Sequence, residues 1–219
     1  MAPGDPLLRW DWVATHLDDL AFRLGEHVLF TAVAVGVGFL ISFALAVAAI
    51  RRPGLAAPIT GVAGILYTIP SLALFALLIP ITGLSFLTAE IALVSYTVLI
   101  LFRGISGGVA SVPPEVRDAA DGLGYSRWQR LWRVELPIAL PLIVGGLRLA
   151  TVTTIGLVTV TALIGQGGLG RLIVEGYDRF FATPLVVGAT LSVGLAFLAD
   201  AAFLAVQRAL TPWGRARPA

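Results

Sequence analysis

The sequence predicts an all-α integral membrane protein with about five transmembrane helices, and three observations carry that reading. Of 219 residues, 58% are hydrophobic and 13% charged, with a mean hydropathy of +0.91, whereas soluble domains hold about 25% charged residues. Several stretches carry no charge over roughly the 20 residues that cross a bilayer as a helix. The 15 basic residues are all arginine, and they gather in alternate segments between those stretches. The same composition excludes intrinsic disorder. A net charge of +2 without a basic stripe argues against nucleic acid as a partner. With no cysteine, disulfides, thiolate metal sites and cysteine catalysis are excluded.

Each element follows in chain order. Residues 7–24 place Leu7, Trp10, Val13, Leu17, Leu20 and Leu24 on one helical face, with Asp11, Asp18, Asp19 and Arg23 mostly elsewhere. Residues 1–27 therefore read as an extracytoplasmic amphipathic helix, interfacial or packed on the bundle's outer end, with Trp10 and Trp12 at headgroup level. They lack the basic start and short apolar core of a signal peptide. The uncharged run Val28 to Ile50 is a first span, stopped by Arg51-Arg52-Pro53. The next uncharged run, 53–89, would make roughly 55 Å of helix, too long for one crossing. Breaks at Pro80 and at Thr82-Gly83-Leu84-Ser85 divide it into spans near 57–79 and 88–109. A fourth span covers 141–163 and a fifth 184–207. The transmembrane domain thus occupies 28–208, followed by a cytoplasmic tail at 209–219.

The arginines orient the chain. Arg51 and Arg52, then Arg117, Arg127, Arg130 and Arg133, then Arg208, Arg215 and Arg217 all fall on one side. The positive-inside rule makes that side cytoplasmic. Arg9, Arg23, Arg171 and Arg179 on the other side are diluted by Asp11, Asp18, Asp19, Glu26, Glu175 and Asp178. The expectation is a multi-pass protein with its N-terminus outside and its C-terminus in the cytoplasm.

The cytoplasmic segment 111–137 is too long and too patterned for a plain connection. Pro113-Pro114 suit a helix start, with Glu115 and Asp118 in the first turns. Gly122 or Gly124 ends that helix. Ser126 opens another, with Gln129 completing a capping box. Trp128, Leu131 and Trp132 form its apolar face, and Pro137 and Pro141 mark a turn into span four. Ala119 and Ala120 offer a small-residue surface that a partner could approach closely. A solvated helical hairpin on the membrane fits the same pattern.

Asp118-Ala119-Ala120, then Gly124, then Val134-Glu135-Leu136-Pro137 reproduce the spacing of a known motif. That motif is Glu-Ala-Ala, three residues, Gly, nine residues, a β-branched residue, any residue, Leu-Pro. On it the chain resembles the membrane-spanning permease subunits of binding-protein-dependent ABC importers. Asp118 stands where the family has glutamate, keeping the charge on a side chain one methylene shorter. Gly146-Leu147-Arg148-Leu149-Ala150-Thr151-Val152 and Ala162-Leu163-Ile164 leading into Gly165 are similar to the osmoprotectant branch, which imports glycine betaine, carnitine, choline or related compounds. The resemblance implies a bacterial inner-membrane location and no covalent chemistry on this chain. It implies that loop 111–137 couples to a cytoplasmic ABC ATPase dimer, which would hold ATP and magnesium. It further implies an extracytoplasmic solute-binding protein and a second permease copy or paralogue. Alternatives are an importer of an amino acid such as methionine, a secondary carrier, or a membrane-embedded enzyme. The enzyme lacks clustered catalytic groups, and the carrier lacks visible inverted repeats.

Gly165-Gln166-Gly167-Gly168-Leu169-Gly170 satisfies G-x-G-x-x-G, but it follows an apolar helix instead of a strand. A hinge or tight turn at the outer mouth is the expectation for Gly165, Gly167, Gly168 and Gly170. His16 and His27 have no partner at metal-ligand spacing. Arg148 and Asp200 lie at similar depth near the cytoplasmic side, where insertion costs about 2.5–3.5 kcal/mol each; they are candidates for an intramembrane pair that steadies one of two conformations. Arg103 reads as a side chain snorkelling to the inner headgroups, and Glu90 opens span three near the outer face. Gly104 and Gly108 make a small-xxx-small pair suited to helix contact in lipid.

Overall fold

A computed structural model describes residues 6–211, which are helical between short connections. The first helix, α1 (Trp10–Thr15), ends at His16, whose ring stacks on Trp12 with centroids 4.2 Å apart. From Leu17 the chain runs without interruption to Arg51 as α2. The expected separate amphipathic helix over 7–24 is therefore corrected. His16 breaks it, and its second half is the outer end of the first span. At 1.5 Å per residue, α2 is about 52 Å long, so its first turns project beyond the ~30 Å hydrocarbon layer. Those turns carry Asp18, Asp19, Arg23 and Glu26. Leu20 and Leu24 pack inward with Trp12 and Val13, whereas Leu7, Trp10 and Leu17 stay exposed.

The second span is also corrected. It is not one helix over 57–79 but two, α3 (Ala56–Thr68) and α4 (Ser71–Thr82), bent by 95°. The break falls at Ile69-Pro70. A residue before proline is pushed out of the helical region, and Ile69 has φ −66° and ψ 127°. Pro80 lies inside α4, two residues from its end, where little helix remains to disturb. Gly83, at φ 70°, then allows the turn into α5 (Phe86–Ala110), which Ser85 caps by accepting from the Thr88 amide.

Segment 111–137 holds α6 (Pro114–Gly122) and α7 (Arg127–Arg130), and α7 continues through a π-helical turn at Leu131–Glu135 into α8 (Leu136–Thr161). Pro137 and Pro141 make no turn, contrary to expectation. Pro137 sits in the first turn of α8 but inside the continuous helix, so its ring and its missing N–H have to be accommodated there. The wide turn before it, closed by the Leu136 amide on the Leu131 carbonyl, gives its ring room. Arg127–Ile164 is thus one 38-residue rod. A short α9 (Gly170–Asp178) precedes α10 (Ala182–Leu210), the last span. Arg215 and Arg217, with most of the tail, lie outside the described residues.

Central α5 packs against α2, α3, α4 and α8. Its outer half meets Phe30, Ala34, Leu74, Phe75 and Val158, and its inner half meets Ala46, Leu131, Ala139 and Ile143. Two glycines bring α5 and α8 into backbone contact. A Cβ at Gly104 would stand 3.1 Å from Gly146 Cα, and one at Gly108 would stand 3.1 Å from the Ala139 carbonyl oxygen. Gly104→Leu should therefore destabilise the fold by about 1–3 kcal/mol through overpacking. Gly36→Ala, where a Cβ meets no atom of the chain within 4 Å, should not. Thermal unfolding of both variants in detergent checks this, and equal melting temperatures would contradict the crossing.

Candidate functional site

The short helices α6 and α7 meet at a left-handed glycine and form the face that carries the motif. Gly124 has φ +79°, and the Tyr125 amide reaches back 3.1 Å to the Ala120 carbonyl, closing the end of α6. A side chain there would cost roughly 1–2 kcal/mol in backbone strain alone. Across the corner Ser126 and Gln129 form the reciprocal capping box. Asp118 and Ala119 are exposed on α6, Ala120 is buried beneath them, and Leu123 projects with 76% of its surface open. Of the remaining motif residues, Leu136 is buried while Val134 and Pro137 are half-buried.

What holds this face together is Glu135, a position the motif leaves unspecified. Its carboxylate is only 4% exposed. It accepts from Arg130 Nε at 3.1 Å, and Arg117 Nε lies 3.3 Å away. Arg130 also bonds Asp121, and Arg117 Nη2 donates at 2.6 Å to the Val109 carbonyl, capping the inner end of α5. One buried anion therefore joins α5, α6, α7 and the start of α8. The signal in the sequence was a lone acid within Leu131-Trp132-Arg133-Val134-Glu135-Leu136-Pro137, surrounded by excess arginine.

A second anchor ties α7 to the first span. The Arg51 guanidinium lies 4.6 Å from the centre of the Trp128 ring, and Trp132 meets Phe43 with centroids 5.8 Å apart. Trp128 and Trp132 stand edge to face at 5.6 Å. Both indoles are half-exposed, so they serve as props beside the buried Leu131.

At the outer end the glycine run forms the turn between α8 and α9. Gly165 and Gly168 have φ 76° and 83°, and a Cβ at Gly170 would collide with the Thr159 backbone. The turn is latched onto α2. The Gly168 amide donates to Glu26 Oε2 at 3.1 Å, and the Leu169 amide donates to His27 Nδ1 at 3.2 Å. Buried His27 in turn donates from Nε2 to the Ile155 carbonyl at 3.0 Å. An Nδ1 that accepts carries no proton, so the imidazole is neutral. Glu26 and His27 are structural partners that spacing along the sequence did not reveal.

Arg148 and Asp200 meet. Arg148 Nε and Nη2 donate to the two Asp200 oxygens at 2.9 Å each, a bidentate pair joining α8 to α10. The side chains remain 28% and 41% exposed, so something polar or another chain must cover them at membrane depth. Arg103 is exposed on the inner half of α5, and Glu90 is buried near its outer end. Among the described residues no three histidines or carboxylates group as metal ligands.

Residues 38–212 match the family described as "Binding-protein-dependent transport system inner membrane component". The osmoprotectant import permease protein OsmW of Salmonella typhimurium is 39% identical over 92% of this chain and 94% of its own. The glycine betaine/carnitine/choline transport system permease protein OpuCB of Bacillus subtilis is 32% identical, covering 93% and 94%. An inward-facing structure of the MetNI methionine ABC transporter superposes with a TM-score of 0.80 over 90% of this chain and 98% of that one, at 23% identity. At that identity the likeness concerns the fold.

The buried carboxylate makes a direct test of this assembly. Glu135→Ala takes an acceptor from Arg130 and the neighbouring anion from Arg117, which keep Asp121 and the Val109 carbonyl, at a cost of about 1–3 kcal/mol. Hydrogen exchange in 114–135 should accelerate while the outer glycine turn keeps its protection. Unchanged exchange at both ends would remove Glu135 from its central place.

Proposed function

The chain belongs to the family of binding-protein-dependent transport system inner membrane components, and from that premise we propose that it forms the translocation path for a compatible solute such as glycine betaine. It is the permease subunit of an ABC importer, a transport component whose ATPase is a separate subunit. The observation that carries the substrate class is the 39% and 32% identity, over more than nine-tenths of the chain, to permeases named for osmoprotectants and for glycine betaine, carnitine and choline. The methionine reading has support only at the level of fold.

In this reading the exposed face of α6, with Asp118, Ala119 and Leu123 beside Gly124, docks into a cytoplasmic ATPase dimer that holds ATP and magnesium. The outer surface made by α1, the first turns of α2 and α9 meets an extracytoplasmic solute-binding protein, and a second permease copy or paralogue completes the path. The arginine asymmetry supports a cytoplasmic segment 111–137, an external N-terminus and an internal C-terminus. Coupling is mechanical. The Glu135 cluster passes displacement of α6 into the Arg127–Ile164 rod, which is pinned near its middle where Gly146 meets Gly104. A rod pinned there swings its two ends in opposite senses, so closing the inner side opens the outer one. The Arg148–Asp200 pair then steadies α10 against the rod in one of the two positions.

Reconstitution with the ATPase and binding protein tests the reading. Glycine betaine uptake should require ATP. Co-purification without an ATPase, or uptake that survives ATP depletion and follows ion gradients, would sink it, and uptake of methionine instead would move the substrate to amino acids. Gly124→Asp should abolish ATPase docking or coupling while leaving membrane insertion intact; normal transport in that variant would contradict the docking role. Arg148→Asp and Asp200→Arg should each reduce uptake at least five-fold, and the double exchange should restore a measurable part. A double variant no better than either single one would count against direct pairing.

A further inference from the structure

The break in span two exposes backbone where a bilayer does not tolerate it. Thr68 and Pro70 are exposed on either side of Ile69, and the 95° bend removes from the Tyr67 and Thr68 carbonyls the amides four residues on. Nearby carbonyls are occupied. Ile65 accepts from Thr68 Oγ1 at 2.8 Å, Leu66 from the Ile69 amide at 3.3 Å, and Ile69 from the Tyr96 hydroxyl. Tyr96 is ten residues into α5, about 15 Å from its outer end and close to mid-membrane. Non-helical backbone at that depth survives only when covered by protein or lining a water-filled cavity.

Two aromatic rings stand at this opening. Tyr67 is 40% exposed and Tyr96 only 5%, with centroids 5.9 Å apart and planes 71° from parallel. The rings thus form a corner whose inner wall is fixed by the Tyr96–Ile69 bond and whose outer wall is open. The carboxy-terminal end of α3 adds its partial negative charge beside them. π faces and carbonyl oxygens stabilise a cation that has no hydrogen to donate, and they hold it weakly enough to release it. Arg103 lies seven residues beyond Tyr96, on the same face and about 10 Å further inward, where it suits a carboxylate at the ligand's other end.

We propose that the Tyr67–Tyr96 corner at the broken second span is a transit subsite for the quaternary ammonium head of the permeating solute. The inference deepens the function proposed above and rests on it for the solute, but the chemistry of the site is testable separately. The chain has no cysteine, so Thr68→Cys introduces a unique thiol at the opening. In the assembled importer in liposomes, this thiol should react with a trimethylammonium-bearing methanethiosulfonate. Tetramethylammonium should slow the reaction several-fold, and sodium at equal ionic strength should not. Tyr67→Leu in the same background should abolish that protection, and Tyr67→Phe should keep it. A thiol that does not react is covered by lipid or by the second copy, and protection that is absent or survives Tyr67→Leu shows no aromatic subsite; either result overturns the proposal. Glycine betaine uptake by the unaltered importer is measured alongside. Its failure overturns the solute assignment, and normal uptake with an unprotected thiol overturns the subsite alone.

Discussion

A polar group inside a bilayer must find its partner within the protein or in water that the protein admits. That constraint explains why the features of interest lie where they do. The chain satisfies it three ways: by long uninterrupted helices, by bidentate pairing at Arg148 and Asp200, and by caps such as those of Ser85 and Ser126. Among the described residues the side chains of Glu90, Ser106 and Thr151 keep buried oxygens without a partner, and the departures of the backbone are the informative ones. They are the break at Ile69-Pro70, the wide turn at Leu131–Glu135 and the glycine turn at 165–170. The break is the one whose backbone is left facing outward at mid-membrane depth.

The other two deviations lie at opposite ends of the same rod. At its inner end the π-helical turn presents Glu135 to Arg117 and Arg130; at its outer end His27 joins the Ile155 carbonyl to the Leu169 amide. Both ends are therefore held by specific, directional bonds; in the middle the rod meets α5 by glycine-to-glycine contact alone, while Arg148–Asp200 and Gln207–Pro141 join it to α10. Directional bonds at the ends resist sliding along the axis. A bare backbone contact at the centre resists tilting far less.

Much of this was legible in the sequence, for physical reasons that differ by element. Span count, capping box and glycine corner depend on local propensity and on uninterrupted apolar length, and one sequence displays both. The turn at Thr82-Gly83-Leu84-Ser85 lies where the sequence places it, whereas the additional break at Ile69-Pro70 is not read from the sequence. Pro80 lies near a helix end where it costs little, whereas Pro70 excludes the helical conformation at Ile69 in mid-span. The continuity from α7 into α8 was missed because proline inside a helix ordinarily breaks it, and only the wide turn at 131–135 shows how Pro137 is accommodated. Glu135, Glu26 and His27 were unreadable as partners because their bonds join residues 5 to 142 apart, and no periodicity records such contacts. Arg148 and Asp200 were readable because an ionised side chain at membrane depth demands a counter-charge, and few candidates exist at the same depth.

The position of the pivot follows from the same reasoning. The rod spans Arg127–Ile164, about 57 Å, and Gly146 stands near its midpoint. A bulkier residue there would move α8 away from α5 and loosen the packing of Ala139 and Ile143 on Phe102 and Ile105 below it. Glu135 stands eleven residues from Gly146 and Gly165 nineteen, so displacement at the Glu135 cluster returns at the glycine turn about 1.7 times larger and in the opposite direction. The outer latch, being two amides on Glu26 and His27, is directional enough to hold one position and small enough to be released from it. In the proposed coupling, a stroke applied at α6 needs no pathway of side-chain rearrangements through the membrane. One stiff helix, pinned where the two glycines meet, connects the two sides.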